Sequence, residues 1–363
     1  MGKMVGGGVE AVVMNYYRHI DRSCVQFDLL VDADSTLVPR EEVEALGGRV
    51  FEVPPYQRVV EYQRGMRRLF EQERWPIVHS HINALSVFPL RAAKRAGVPV
   101  RIAHSHSTSG KGEHAKNAVK AALKTQASRY PTHRLACSRY AGEWLFGKGA
   151  EFDVLYNAID LSSFAFDAEA RALARADLGL VGGQFAIGHV GRFTAQKNHL
   201  FLLEAFEVVA RRRDDAVLLL AGDGEQRSLA ECWVAERGLS NRVLFLGQRD
   251  DIQRVYLAFD AFVLPSLYEG LGLVGVEAQR AGLPCLLSDQ ITREVDVTGT
   301  VRFLPIDDSR TWADALCAIQ PDESARNLGE SPECFSDYDI TQAAPKLLGL
   351  YERLLAEADC DVC

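Results

Sequence analysis

The stretch Tyr268-Glu269-Gly270-Leu271-Gly272-Leu273-Val274-Gly275-Val276-Glu277-Ala278 decides the reading of this chain, because it sets two carboxylates eight positions apart around a glycine-broken turn. Upstream, Ala261-Phe262-Val263-Leu264-Pro265 reads as a short buried strand. Downstream, residues from about Leu273 to Ala281 carry a helical pattern ended by Gly282-Leu283-Pro284. Glu269 therefore falls in the loop and Glu277 inside the helix. A helix N-terminus presents unpaired amides and a partial positive charge, so Gly272, Leu273 and Val274 can donate backbone hydrogen bonds to a diphosphate. Gly270 and Gly272 keep side chains out of its approach. Glu277, about a turn further on, is placed to accept hydrogen bonds from ribose hydroxyls.

A second strand, loop and helix lies upstream. The apolar run Phe185 to Val190 leads into Gly191-Arg192-Phe193-Thr194-Ala195-Gln196-Lys197-Asn198, then a helix with apolar positions at Leu200, Leu203, Phe206 and Val209. An Arg and a Lys in a short loop at a strand's carboxyl end can clamp two phosphates, Arg through its rigid fork and Lys as a point charge. Leu218-Leu219-Leu220-Ala221-Gly222-Asp223-Gly224 and Val243-Leu244-Phe245-Leu246-Gly247 are two more buried strands running into glycine. Alternation of strand and helix from Phe185 to Ser288 is the pattern of a doubly wound parallel sheet, which binds ligands at its carboxyl ends. No G-x-G-x-x-G with a following ribose-binding acid supports a dehydrogenase.

The paired carboxylates resemble the Glu-x7-Glu signature of the family 4 retaining glycosyltransferases, and the resemblance extends over almost the whole chain. From Val276-Glu277-Ala278-Gln279 through Gly282-Leu283-Pro284-Cys285-Leu286 to Ser288-Asp289 it looks like the bacterial exopolysaccharide and capsule branch. The resemblance implies an α/β chain of the GT-B fold, with two doubly wound Rossmann-like domains facing across a cleft. It implies that Glu269 contacts the donor sugar, that Glu277 contacts the ribose, and that Arg192 and Lys197 help the leaving diphosphate depart. It also implies no cofactor and no metal, since helix dipoles and basic side chains neutralise the diphosphate.

The 363 residues, 47% hydrophobic and 25% charged, suit about two domains of ordinary globular protein. The division falls near Asn157. Residues 1–158 carry 22 Lys and Arg against 16 Asp and Glu, whereas the rest carry 19 against 33, so a net charge of −8 conceals a basic half. The expected domains are an acceptor-binding one, 1–158, joined by a C-terminal helix at 338–357 that the resemblance makes cross back, and a nucleotide-sugar donor-binding one, 159–337. No run of 18 apolar residues and no leader pattern is present, so the chain is expected in the cytoplasm, at most peripheral on the inner face of the plasma membrane. Of eight cysteines only Cys360 and Cys363 form a C-x-x-C pair, too little for a zinc site.

The first half alternates as well: helix Val9 to Ile20, strand Phe27 to Val31, strand Arg49 to Val53, helix Val59 to Glu73, strand Ile77 to Ser80, helix Ala84 to Ala96, strand Val100 to Ala103. Histidines gather where strands end, His79 and His81 after one, His104 and His106 after the next. The family carries a histidine at the second place, facing the donor sugar, and the spacing leaves the choice between His104 and His106 open, with a slight preference for His106. Met1 to Glu10 opens directly on a glycine-rich turn, in which Gly6 and Gly7 match family glycines that approach donor phosphate and acceptor. The first strand of the N-terminal domain is then missing. The expectation is a native chain about ten residues longer, and a Gly6 to Glu10 loop badly anchored without it.

Lys116, Lys120 and Lys124 fall four apart on one helical stripe within a basic run from Lys111 to Arg134 that is opposed only by Glu113. Such a stripe suits anionic lipid or a polyprenyl phosphate acceptor. Nucleic acid is disfavoured, because no aromatic residues interleave with the charges and the chain is acidic overall. The sequence reads as a retaining, metal-independent hexosyltransferase that moves a sugar from a nucleotide diphosphate, a UDP-sugar by preference, onto a glycan or polyprenyl-linked acceptor in surface polysaccharide assembly. A catalytically impaired nucleotide-sugar-binding subunit and a GT-B sugar-nucleotide epimerase or phosphorylase are the alternatives.

Overall fold

Continuous apolar runs make the strands of the second half, and their burial on both faces is what a central parallel sheet requires. A computed structural model describes residues 1–106, 121–328 and 333–360. The chain divides into two compact units, Met1–Ile159 with Asp337–Cys363, and Asp160–Ser336.

In the second unit six parallel strands form one sheet: β7 (Phe185–Val190), β8 (Ala216–Ala221), β9 (Val243–Gly247), β10 (Ala261–Leu264), β11 (Cys285–Ser288) and β12 (Arg302–Leu304). Their order is β12-β11-β10-β7-β8-β9. Strand order thus reverses between β7 and β10, which pair directly through Ala261 with Ile187 and Phe262 with Gly188. That reversal is the crevice where open α/β sheets take ligands. The helix His199–Arg212 lays Leu202, Leu203, Phe206 and Val209 against the sheet in a core that includes Phe185, Leu218 and Trp312. Beneath it Asp260 accepts hydrogen bonds from Arg171 at 2.6 Å, Arg175 at 3.2 Å and the Ala186 amide at 2.7 Å.

The first unit holds β1 (Leu29–Asp32) and β2 (Val50–Val53) as one parallel pair. A separate four-stranded parallel sheet runs β3 (Ile77–Ser80), β4 (Val100–Ser105), β5 (His133–Ala136) and β6 (Asp153–Val154). No strand joins β1 to β3 among the described residues. Gly2 instead bridges Val31, and Val5 bridges Leu37, both in parallel sense. A cavity of about 390 Å³ opens there, lined among others by Met1, Gly2, Leu30, Asp32, His79, His81 and Tyr351. The C-terminal helix Ile340–Cys360 belongs to this unit, and the segment before it pairs with Ile159.

Two local expectations need correction. The expected helix Ala84 to Ala96 is a 3-10 turn, Asn83–Ser86, followed by an α-helix, Val87–Arg95. Pro89 has no amide to give and its ring crowds the carbonyl four residues back, so the regular helix begins just before it. The Gly6 to Glu10 loop is firmly anchored rather than badly so. The Glu10 carboxylate accepts hydrogen bonds from the amides of Val5 at 3.0 Å, Gly6 at 2.7 Å and Gly7 at 2.9 Å.

Candidate functional site

The loops after β7 and β10 meet because their strands are neighbours, and that places residues some 70 positions apart side by side. A short 3-10 turn, Ala195–Lys197, ends on Asn198 at φ 57°, a left-handed conformation that asparagine tolerates better than most residues. The turn aims Gln196 and Lys197 toward the β10 loop. The Lys197 ammonium lies 2.7 Å from Glu269 Oε1. Gln196 Nε2 donates to Glu269 Oε2 at 3.1 Å and to the Tyr268 carbonyl at 2.9 Å, while the Leu267 amide donates to the Gln196 carbonyl at 2.8 Å. Glu269 is buried, and Arg192 is exposed, its guanidinium without a hydrogen bond or ion pair among the described residues.

Gly272 caps the helix Leu273–Arg280 at φ 87°, where any side chain would strain the backbone. The first-turn amides, at Gly272, Leu273 and Val274, head this helix with its positive dipole end. Glu277 lies within the helix, and its Oε2 accepts a hydrogen bond from the buried Tyr256 hydroxyl at 2.7 Å. The same hydroxyl lies 3.2 Å from the Val274 carbonyl. The single hydroxyl hydrogen is shared between these two acceptors, the carboxylate at the shorter distance. Burial pushes the Glu277 carboxyl up to about 7, opposed by Tyr256 and by the charge of Lys197. Glu269, Lys197, Glu277 and the helix N-terminus therefore form one site, with Gly191 and Gly270 in its loops. Gly222, at φ 136°, closes its side: a Cβ there would stand 2.2 Å from the Gly191 carbonyl oxygen.

The remaining sequence candidates lie in the first unit. Gly6 and Gly7 give their amides to Glu10. Lys124 holds its ammonium 4.4 Å above the Trp144 ring, and Lys116 and Lys120 lie outside the described residues. His104 and His106 are buried and stand in one stack with His79 and His81, the His104 and His106 rings 3.9 Å apart. His106 Nε2 faces His81 Nδ1 at 2.9 Å, and His106 Nδ1 faces Asn157 Oδ1 at 3.2 Å. Desolvation holds all four rings below the ordinary histidine range, His79 down to about 3 and His106 to about 4, so they are neutral near pH 7. The Asp32-Ala33-Asp34 triplet does not offer two carboxylates to one ion, because Asp32 is buried and Asp34 is exposed and paired with Lys3 at 2.8 Å.

Sequence reasoning missed Gln196, Tyr256 and His189. His189 is fully buried, donates from Nδ1 to the Val263 carbonyl at 2.9 Å, and would touch a Cβ on Gly191 through Nε2. An interior histidine in an apolar strand, Phe185-Ala186-Ile187-Gly188-His189, was the available signal.

Fold and site together define a doubly wound α/β protein with a helix N-terminus and basic side chains at its switch point. Residues 170–299 match the model of glycosyl transferases group 1, and residues 7–157 match that of the glycosyl transferase 4-like domain. EpsF of Bacillus subtilis strain 168, named as a glycosyltransferase, is 36% identical over 357 residues, covering 95% of this chain and 93% of that one. The Escherichia coli UDP-Gal:alpha-D-GlcNAc-diphosphoundecaprenol alpha-1,3-galactosyltransferase is 32% identical over 327 residues, covering 84% and 83%. The crystal structure of Anabaena Alr3699/HepE in complex with UDP-glucose superposes with a TM-score of 0.78 at 20% identity, covering 97% and 98%. The chain belongs to the family 4 glycosyltransferases, of the GT-B fold, and is a glycosyltransferase. Among the described residues no helix is long and apolar enough to cross a membrane.

Proposed function

We propose that this enzyme is a retaining, metal-independent hexosyltransferase that moves a sugar from a UDP-sugar to a glycan or polyprenyl-linked acceptor in exopolysaccharide or capsule assembly. The carrying observation is the convergence of Lys197, Glu269 and Glu277 at the N-terminus of helix Leu273–Arg280, beside the unpartnered Arg192. The helix amides and Arg192 take the diphosphate. Lys197, already desolvated against Glu269, stabilises the charge that develops as the diphosphate leaves. Glu269 accepts hydrogen bonds from hydroxyls of the transferred sugar, and ionised Glu277 accepts them from the ribose. The donor class is supported by the UDP-glucose complex of the Anabaena protein, and the acceptor class by the name of the Escherichia coli relative.

The test is release of UDP from UDP-glucose and UDP-galactose with and without a diphosphoundecaprenol-linked acceptor, with the product's anomeric configuration read by NMR. Acceptor-dependent release with retention, lowered about a hundredfold in Arg192→Ala, is expected. Inversion, or turnover without acceptor, refutes the reading. The basic segment around Lys116, Lys120 and Lys124 is assigned to the cytoplasmic face of an anionic membrane. Sedimentation with anionic vesicles should fall in the triple Lys→Gln variant, and unchanged, salt-insensitive binding counts against it.

A further inference from the structure

His189 is the only polar side chain in β7, fully buried one residue short of the strand's carboxyl end, where packing alone would be served by an apolar residue. The Val263 carbonyl, 2.9 Å from Nδ1, can only accept, so Nδ1 carries the proton. Burial holds the ring neutral near pH 7, lowering it to about 4. Nε2 is therefore a bare lone pair, and it completes no hydrogen bond among the described residues.

That lone pair borders the loop that carries the basic side chains. A Cβ built on Gly191 would meet His189 Nε2 at 3.2 Å and Lys197 Cδ and Cε at 3.1 Å each. Nε2 and the lysine chain thus flank one point, over a residue with no side chain to part them, and the chain runs on to set its ammonium 2.7 Å from Glu269. In an imidazole protonated at Nδ1 the negative end of the ring dipole lies at Nε2, and at a buried position such a dipole acts on a neighbouring cation with little screening. The ring is also held against turning away. His199, 1% exposed and first in the helix His199–Arg212, stands perpendicular to it with ring centres 4.7 Å apart, and Phe193 stacks on His199 at 4.0 Å. Phe193 is pinned in turn, its amide donating to the Asp223 carbonyl at 3.0 Å and its carbonyl accepting from the Gln226 amide at 2.9 Å.

We propose that His189 is a positioning residue for sugar transfer: the Val263 carbonyl fixes its tautomer, and the Nε2 lone pair holds the Lys197 chain across Gly191, keeping the ammonium aimed where charge develops on the leaving diphosphate. This rests on the role of Lys197 given above. His189 itself, 0% exposed, acts only through that lysine. His189→Asn can still donate to the Val263 carbonyl but carries nothing at the Nε2 position, whereas His189→Gln brings an amide oxygen to it.

The experiment measures transfer from UDP-glucose or UDP-galactose to the diphosphoundecaprenol-linked acceptor, donor varied, in each single variant and in combination with Lys197→Ala. His189→Asn should lower kcat on the order of tenfold, less than the hundredfold that an ångström of misplacement can cost, with KM for the donor and affinity for UDP within about twofold. His189→Gln should recover most of that loss. In the Lys197→Ala background His189→Asn should cost nothing more, because the chain it positions is gone. In the unaltered protein labelled with ¹⁵N-histidine, the signal that His189→Asn removes should report a proton on Nδ1 and none on Nε2, a reading that needs no variant to be active. Normal turnover in His189→Asn, no recovery in His189→Gln, additive losses, a matching fall in UDP affinity, or a proton on Nε2 overturns the proposal. Normal transfer in Lys197→Ala removes the role of Lys197 and this proposal with it, whereas a slow Lys197→Ala beside a normal His189→Asn removes His189 alone.

Discussion

Glu269→Gln removes one charge and almost no volume from a close, largely buried ionic contact of the second unit. Lys197 Nζ stands 2.7 Å from Oε1, with the two side chains 15% and 10% exposed. Coulomb's law gives about 6 kcal/mol at that distance for an effective dielectric near 20, and about 1.5 kcal/mol in bulk water. Both groups keep some contact with water, and the lysine regains hydration once its partner is neutral. The net loss of stability is therefore about 2 kcal/mol, below the 3–5 kcal/mol typical of breaking a fully buried pair. Gln196 can still donate to the new amide oxygen, so the loop should hold its place. Sugar transfer should fall about a hundredfold, the usual cost of one electrostatic stabiliser. Binding of UDP should stay equal or tighten, because Lys197 no longer divides its charge between Glu269 and the diphosphate. Urea unfolding at fixed salt, steady-state kinetics with donor varied and calorimetric titration of UDP read the three quantities separately. Unchanged stability with near-normal transfer would mean that the pair does not form in solution. A tenfold loss of UDP affinity would mean that Glu269 supports the diphosphate rather than competes with it.

Glu277, pushed up to about 7 by burial, must ionise to accept two ribose hydroxyls, so UDP affinity should rise with pH through 7. Below that it should fall by up to about tenfold per unit, while pyrophosphate, which shares the phosphate titration but lacks ribose, serves as the control; parallel pH profiles for the two would refute the assignment. The sign for stability is opposite. A folded-state value above the unfolded one makes the carboxyl's contribution fully present below about pH 4.5 and lost as pH rises through 7, so the UDP-free enzyme should melt lower at pH 8 than this group alone would allow at pH 5. In the core, Asp260→Ala leaves Arg171 and Arg175 without their shared carboxylate and should cost about 3–5 kcal/mol in urea unfolding, whereas a loss under 1 kcal/mol would show that water enters there.

The candidate site was legible in part because its pieces are local. Glu269, Gly272 and Glu277 lie within one strand-to-helix segment, and Arg192 with Lys197 in another, so spacing alone placed Glu277 in its helix and the others on their loops. What spacing could not supply is the pairing of Lys197 with Glu269 through Gln196, which exists only because β7 and β10 are neighbours. Adjacency of that kind is set by strand order, and a run of alternating strands and helices carries no mark of it. Tyr256 was invisible for the same reason: as a buried aromatic in the helix Ile252–Ala258 it reads as core, and only the fold brings its hydroxyl to Glu277. The histidines show the converse. Their parity along β3 and β4 was plain, but whether they face a ligand or one another depends on the register, which aligns His79 with Ile102 and sets His104 two positions further on.

If the second unit takes the donor as proposed, its charge balance narrows how it can attract that ligand. Residues 160–336 carry 17 basic against 27 acidic side chains, so the unit's overall field repels a diphosphate. On the proposed reading attraction is therefore local, from Arg192, Lys197 and the amides at the head of helix Leu273–Arg280. Charges acting within a few ångströms in a partly desolvated loop are little screened by salt, unlike a diffuse basic surface. Such a site gains specificity at the expense of long-range steering, since only an anion already seated at the switch point feels its full strength. The Lys197–Glu269 pair fits that arrangement: with no ligand it neutralises a half-buried lysine, and with a diphosphate present it leaves the ammonium partly desolvated and in place. The ordering of that side chain is then settled in the fold rather than at each encounter, which is how preorganised electrostatics lower a barrier instead of merely tightening binding.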